Sequence, residues 1–175
     1  GEILWKGKPF SKKNVRIGYL PEERGLYPKM NVLDQIIYFG MLEGMSKKDA
    51  KQEALKWLEK LEISYAAKKR TEQLSKGNQQ KVQLITAIIH DPEFIILDEP
   101  FSGLDPVNAD MLKSVVKELI VKKKTIIFCS HQMEQVESFC SQICILKDGN
   151  LIVSDQLANV KKSYDYRYLE LETAA

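Results

Sequence analysis

"EFIILDEPFSGLD", Glu93 to Asp105, decides how the rest of the chain is read. Four apolar residues, Phe94 to Leu97, run into two adjacent carboxylates, Asp98 and Glu99. A run this apolar predicts a strand buried on both faces, stiff enough to fix the acids at its C-terminal end. Carboxylates so placed can bind a divalent cation, directly or through water, and can orient or deprotonate a water molecule. The bland alternative is a buried strand that ends in solvated acids. Acids of this kind commonly serve a nucleotide held by a phosphate-binding loop. No G-x-x-x-x-G-K-[S/T] occurs in the sequence, because none of the nine glycines opens one.

The 175 residues suffice for one domain with a substantial core, and 44% apolar against 29% charged residues is a globular profile. A formal net charge of +2 gives no global case for a nucleic-acid partner, and none is expected. No apolar run approaches the ~20 residues that span a bilayer. The opening "GEILWKGKPF" lacks the pattern of a secretory leader and reads as the interior of something longer. Three cysteines, Cys129, Cys140 and Cys144, have no metal spacing and sit among apolar residues, so buried reduced thiols are expected.

Outward from the central strand, periodicity and turn chemistry predict the other elements. "VRIGYLP" (Val15 to Pro21) is a short strand closed by proline, and a loop rich in turn formers, Glu22 to Met30, follows. Asn31 is placed to cap a helix with Val32, Ile36, Phe39 and Leu42 on one face. Ser46, with Asp49 three residues on, opens a second helix whose apolar face is Ala54, Leu55, Leu58 and Leu61. A third helix starts near Ser75 and runs to about Ile89. A fourth, Pro106 to Val121, buries Leu112, Val115, Val116, Leu119 and Ile120. Thr125 to Ser130 is a β-branched strand, and a short helix follows with Met133, Val136 and Phe139 inward. "ICILKDGNLIV" is a hairpin turning at Asp148-Gly149. Alternating strands and helices imply a mostly parallel α/β sheet, and the helical block between the first two strands implies a separate lobe.

Three further stretches carry chemistry. "LSKGNQQKV" (Leu74 to Val82) opens a helix at Ser75, where unpaired N–H groups, the Lys76 cation and an unobstructed Gly77 suit a phosphate. "SGLD" (Ser102 to Asp105) is a turn whose Asp105 can cap the next helix. "CSH" (Cys129 to His131) puts His131 just past a strand end, where α/β sheets hold ligands. Each alone has an ordinary structural reading: a capped helix, a turn, a structural histidine.

In order and spacing these stretches together resemble the ATP-binding cassette (ABC) ATPases. The signature LSGGQ is similar to Leu74-Ser75-Lys76-Gly77-Asn78; the Walker B segment matches at Asp98 and Glu99, the D-loop at Ser102 to Asp105, and the switch histidine at His131. "IGYLPEERGLYPKM" looks most like ATPase subunits of bacterial ABC-2-type exporters of the sodium-efflux and multidrug kind. The resemblance implies a P-loop NTPase-type, mostly parallel α/β sheet with an inserted all-helical subdomain, incomplete at the N-terminus. Residues 1–21 are then core strands, 22–30 the Q-loop, and 31–90 the helical and signature subdomain. Residues 91–155 are the catalytic core and 156–175 the start of a C-terminal extension.

It implies ATP and Mg²⁺ as ligands, with Asp98 and Glu22 toward the metal, Glu99 as general base and His131 against the γ-phosphate. Ser75, Lys76, Gly77 and Asn78 are expected to bind the ATP of a second, head-to-tail cassette, with Asp105 at the dimer contact. The Glu22–Met30 region is expected to touch a membrane-spanning subunit, at the cytoplasmic face of the cell membrane, and so to couple hydrolysis to export. Soluble ABC ATPases of translation or DNA repair, and an interaction module that has lost catalysis, are the alternatives. The sequence departs from the family at Glu22, where glutamine is usual, and at Lys76 and Asn78; Lys76 is expected still to help by aiming a cation at phosphate. The absent P-loop implies that roughly 50 residues of a cassette are missing, by comparison with ordinary domain sizes. It further implies that these residues alone do not bind ATP stably, and that the Thr125–Ser130 and Ile143–Leu146 strands do not pair.

Overall fold

The computed structural model describes residues 1–11, 14–23 and 25–163. Arg24 of the loop and residues 164–175 of the expected C-terminal extension lie outside the described residues. Two compact units divide between His131 and Gln132.

In the first unit, β1 (Leu4–Trp5) and β2 (Lys8–Pro9) form a short antiparallel hairpin. A parallel sheet has the order β3 (Ile17–Leu20), β4 (Phe94–Asp98), β5 (Thr125–Cys129). Its register sets Leu20 beside Leu97 and Leu97 beside Phe128. Between β3 and β4 come α1 (Val32–Leu42), α2 (Lys47–Lys60), two 3₁₀ turns (Ser64–Ala66 and Thr71–Gln73) and α3 (Lys76–Ile88). α4 (Pro106–Val121) joins β4 to β5. The helices of residues 31–90 thus share a compact unit with the sheet.

The sheet is unequal on its two faces. Gly18, Leu20, Ile95 and Leu97 are buried on one of them. There α3 crosses β3 so closely that a Cβ on Gly18 would lie 2.2 Å from the Ala87 carbonyl oxygen. On the other face Trp5 lies against Phe94, with ring centroids 5.5 Å apart, while Tyr19 and Ile127 stay about half exposed. The expectation of a central strand buried on both faces is corrected: β4 alternates buried and half-buried positions, because α3 covers only one side.

The helix faces follow the predicted periodicity with four exceptions. Leu42, Leu55, Ile120 and Met133 are exposed, whereas Gln35, Gly40 and Ala50 are buried. α1 and α2 approach at Gly40, whose missing side chain leaves room for Ala50 and Met45. The seam of α2 is therefore Ala50, Ala54, Leu58 and Leu61, and Leu55 points about 100° away from Ala54. Leu42 ends its helix, and Met133 begins one, beyond the packed turns. Ser46 caps α2 as expected, accepting from the Asp49 N–H at 3.1 Å. Asn31 occupies the cap position of α1, but its amide donates to the Asp34 carboxylate (3.1 Å) instead of receiving a helix N–H.

In the second unit α5 (Met133–Phe139) precedes the hairpin of β6 (Gln142–Lys147) and β7 (Asn150–Gln156), and α6 (Leu157–Ser163) follows. Val136, Ile143 and Leu157 form its small core. Asp148 and Gly149 both have positive φ (50° and 76°), the backbone a two-residue hairpin turn requires. Among the described residues β5 pairs with β4 inside the first unit and β6 with β7 inside the second. The cysteines depart from expectation: all three are free, but Cys129 and Cys144 are exposed and Cys140 is half-buried. Cys129 points to the open sheet face, and Cys144 lies on the side of β6 opposite the buried Ile143.

Candidate active site

The C-terminal ends of β4 and β5 bring together the residues that the sequence separates most widely. Asp98 is the last residue of β4 and stands in register with Cys129 of β5. One residue later the chain turns sharply, and Glu99 has φ +45°, a conformation rare for a residue with a side chain. Its N–H still donates to the Cys129 carbonyl (3.0 Å), so the backbone bends while tied to the neighbouring strand. The bend aims the carboxylate at the Ser130-His131 segment. Glu99 Oε1 accepts from the His131 backbone N–H (2.7 Å) and lies 2.6 Å from His131 Nδ1; Oε2 accepts from the Ser130 hydroxyl (3.3 Å). The carboxylate is largely enclosed while the imidazole is exposed, 12% against 73% accessible, so the pair presents its histidine side to solvent. The Cys129 thiol beside them, exposed at residue level, is held above its ordinary pKa by partial desolvation and then by the charges of Asp98 and Glu99.

A second cluster forms at the start of α3. Ser75 caps the helix, accepting from the Asn78 N–H (3.3 Å), and Lys76 is exposed in its first turn. The Asn78 amide donates to the Tyr65 hydroxyl (2.8 Å), and Lys69 Nζ stands 5.0 Å from that ring. Gly77 is buried, and what approaches it is the side chain of Asn108 in α4: a Cβ there would meet Asn108 Nδ2 at 2.7 Å. Asn108 is in turn held by Asp105, which caps α4 by accepting from the Asn108 N–H (3.2 Å) and amide (2.5 Å). These two hydrogen bonds from Asn108 keep the Asp105 carboxyl below the usual carboxylate range. The space a side chain at Gly77 would need is thus taken by Asn108, which packs the two helix starts together.

Glu22 is an exposed residue of the loop that follows β3, whose last residue, Leu20, stands in register with Leu97 just before Asp98. Among the described residues no group of three or more His, Cys, Asp or Glu side chains is arranged to hold a metal ion. Asp98 offers a hard carboxylate oxygen, the donor that Mg²⁺ takes when phosphates complete its shell, so the donor chemistry fits.

The sequence reading missed the buried polar side chains of α3. Gln80 donates to the Pro100 carbonyl (3.0 Å), just past Glu99, and Lys81 to the Leu61 carbonyl (3.1 Å), at the end of α2. Gln83 donates to the carbonyls of Pro21 (2.9 Å) and Glu23 (3.3 Å), on either side of Glu22. Burial lowers the Lys81 pKa, against the opposing attraction of Glu62 and Asp105. The available signal was "NQQKVQ", too many amides for a helix otherwise apolar on the side it buries.

Comparison with known proteins gives the chain's family and fold. The sequence profile described as ABC transporter matches residues 1–102. An uncharacterised ABC transporter ATP-binding protein of Alkalihalophilus pseudofirmus is 52% identical over 174 residues, covering 98% of this chain and 65% of its own. The linearmycin resistance ATP-binding protein LnrL of Bacillus subtilis is 34% identical over 83% of this chain and 47% of its own. This chain spans 65% and 55% of the length of two relatives more than half identical to it. Among solved structures, an ATP-binding subunit of an ABC transporter superposes with a TM-score of 0.77 at 25% identity, over 85% of this chain and 62% of the other. The dimeric, post-hydrolysis state of an ATP-binding cassette bound to ADP and Pi superposes at 0.73 and 26%, over 81% and 63%.

Proposed function

We propose, from the premise that this chain belongs to the ABC transporter family, that it carries the hydrolytic half of an ATPase site that powers export across a membrane. The observation that carries the reading is Glu99, an enclosed carboxylate at the end of the central strand, held by His131 and following Asp98 directly. No G-x-x-x-x-G-K-[S/T] lies within these residues, so the backbone cradle and lysine for the β- and γ-phosphates come from outside them.

In the proposed site Glu99 takes the proton of the attacking water, and His131 contacts the γ-phosphate and holds the Glu99 carboxylate in place. Asp98, with Glu22 from the loop, would hold Mg²⁺, which supplies charge neutralisation at the phosphates. Ser75, Lys76, Gly77 and Asn78 face the ATP of a second cassette: the hydroxyl, the helix N-terminus and the Lys76 cation suit a γ-phosphate. Gly77 acts by letting Asn108 and Asp105 pack under the helix start, and Asp105 meets the partner cassette. The loop from Glu22 to Met30 meets a membrane-spanning subunit, which places the chain at the cytoplasmic face of the cell membrane. No helix among the described residues is long and apolar enough to cross a membrane. Export, rather than uptake, is supported by relatives named for linearmycin resistance and for Nod factor export.

The test is Glu99→Gln in the whole protein assembled with its partners. ATP hydrolysis falls by at least about 100-fold, the usual loss of a general base, while ATP binding is retained. Turnover within a few-fold of the unsubstituted protein overturns the assignment.

A further inference from the structure

Three consecutive features of the loop from Pro21 to Met30 have no part in the chemistry described above. Its start is held by Gln83 of α3, whose amide nitrogen reaches the carbonyls of Pro21 and Glu23 at 2.9 and 3.3 Å. Its far half is held by Gln35 of α1, whose Oε1 accepts from the Tyr27 N–H (2.6 Å) and whose amide donates to the Thr71 hydroxyl (2.6 Å). Thr71 in turn donates to the Met30 carbonyl, three residues before Leu74 of the signature. Beneath the loop lies a cavity of about 820 Å³, lined by Tyr19, Gly25, Leu26, Phe39, Gln83 and Ile96. The loop is thus held near both of its ends.

Gln83 is 2% exposed, and its Oε1 has no hydrogen-bond partner. A buried acceptor left unpaired costs stability, and an apolar side chain of the same length removes that cost. Packing alone therefore favours methionine or leucine at this position. The glutamine is explained by its other end, which bridges α3 to the backbone on both sides of Glu22.

We infer that Gln83 is a positioning residue that ties the Glu22 loop to the signature helix, so that displacement of either moves the other. The inference rests on the functional reading above for the roles of Glu22 and Ser75; the tie itself does not depend on them. α3 is the natural lever. Its N-terminus is the start of the signature, and Gln83 lies two turns along it, about 12 Å from Ser75 at 1.5 Å per residue. The same helix holds Pro100, next to Glu99, through Gln80. A shift of the helix start toward a bound nucleotide then reaches the loop through Gln83 and the catalytic turn through Gln80.

The test is amide hydrogen exchange and thermal unfolding of Gln83→Met and Gln83→Asn, the second keeping the amide but losing its reach. Without nucleotide, exchange in residues 22–30 rises at least tenfold in both variants, while α3 stays protected. Unchanged loop exchange overturns the proposal. So does a uniform rise across the first unit, or failure of both variants to fold, either of which assigns Gln83 to stability alone. In the whole protein carrying Glu99→Gln, adding ATP alters loop exchange, and Gln83→Met removes that response while ATP still binds. A response that persists in Gln83→Met overturns the lever. If loop exchange rises as expected but the whole protein binds no ATP, the functional reading fails and the tie stands.

Discussion

Gly18→Ala tests the packing on which the site depends. The added Cβ would sit 2.2 Å from the carbonyl oxygen of Ala87 and 2.9 Å from Cγ of Pro92. The first of these is backbone in the last turn of α3 and cannot rotate away as a side chain would, so α3 and β3 must separate by roughly 0.8 Å to restore even a 3.0 Å contact. Overpacking of this kind costs about 1–3 kcal/mol, and a rigid backbone obstacle belongs at the upper end. Gly18 sits in a strand and is absent from the positive-φ glycines, so alanine is allowed there and reduces the unfolded chain's entropy, offsetting about 0.4–1 kcal/mol. The net loss is about 2 kcal/mol. With a urea m-value of about 2 kcal/mol/M, the midpoint falls by about 1 M. Both tryptophans, Trp5 and Trp57, lie in the first unit, so their fluorescence follows the unit that contains the substitution. Gly25→Ala, with nothing closer than 4.0 Å, is the control: the same entropy gain, unopposed, raises its midpoint by about 0.2–0.5 M. A midpoint for Gly18→Ala within about 0.2 M of the unsubstituted chain, one-fifth of the shift derived from overpacking, refutes the close helix–strand contact.

Ser75→Ala removes the hydroxyl that caps α3 and should lower stability by about 1 kcal/mol in the same urea measurement; a loss under about 0.3 kcal/mol means the cap contributes nothing to α3. His90 should make stability fall on acidification. Its Nε2–H donates to the Ile17 carbonyl (3.0 Å), and Nδ1 is buried without a partner, so a second proton has nowhere to be accommodated. Burial accordingly lowers its pKa below the ordinary 6.5. A lowered folded-state value means that the unfolded chain takes up the proton first, so this contribution is complete above pH 6.5 and is lost as the pH falls below it. His90→Gln should flatten the decline of the urea midpoint between pH 7 and pH 5.5; an unchanged slope places the titration elsewhere.

What the sequence made legible was whatever depends on neighbours along the chain. The caps at Ser46, Ser75 and Asp105 were readable because a cap is a contact between a residue and the one three positions on. The Asp148-Gly149 turn was readable because two left-handed residues in succession have few sequence solutions. The order of acids, turn and histidine placed Asp98, Glu99 and His131 at strand ends. It could not show that His131 would meet Glu99 through its backbone N–H as well as its ring, since that depends on the bend at Glu99. At Leu42, Leu55, Ile120 and Met133 apolar character was taken as burial; at Leu55 the seam is set instead by the close approach of Gly40 and Ala50, and Leu42 and Met133 lie at helix ends. At Gly77 a glycine marks a close approach without saying whose, and on its Cβ side the answer lies 31 residues away at Asn108.

α3 shows why the deepest part of the site stays hidden from a linear reading. A helix that packs on a sheet should present apolar residues to it, and Val82, Leu84, Ile85 and Ile88 are buried accordingly. Interleaved with them, Gln80, Lys81 and Gln83 each carry a polar end that finds a carbonyl in a different segment: Pro100 after the catalytic turn, Leu61 at the end of α2, and Pro21 with Glu23 around Glu22. The carbonyls of Leu61 and Pro100 lie in buried residues and need a donor, because buried backbone acceptors without one are costly. Supplying all three donors from one helix fixes three segments to a single rigid body, an arrangement that three apolar side chains could stabilise but could not orient. The helix whose first turn is proposed to meet the nucleotide of a second cassette is therefore the same body that holds the turn after Glu99 and the loop carrying Glu22. A change at one of these places has a continuous, hydrogen-bonded route to the other two.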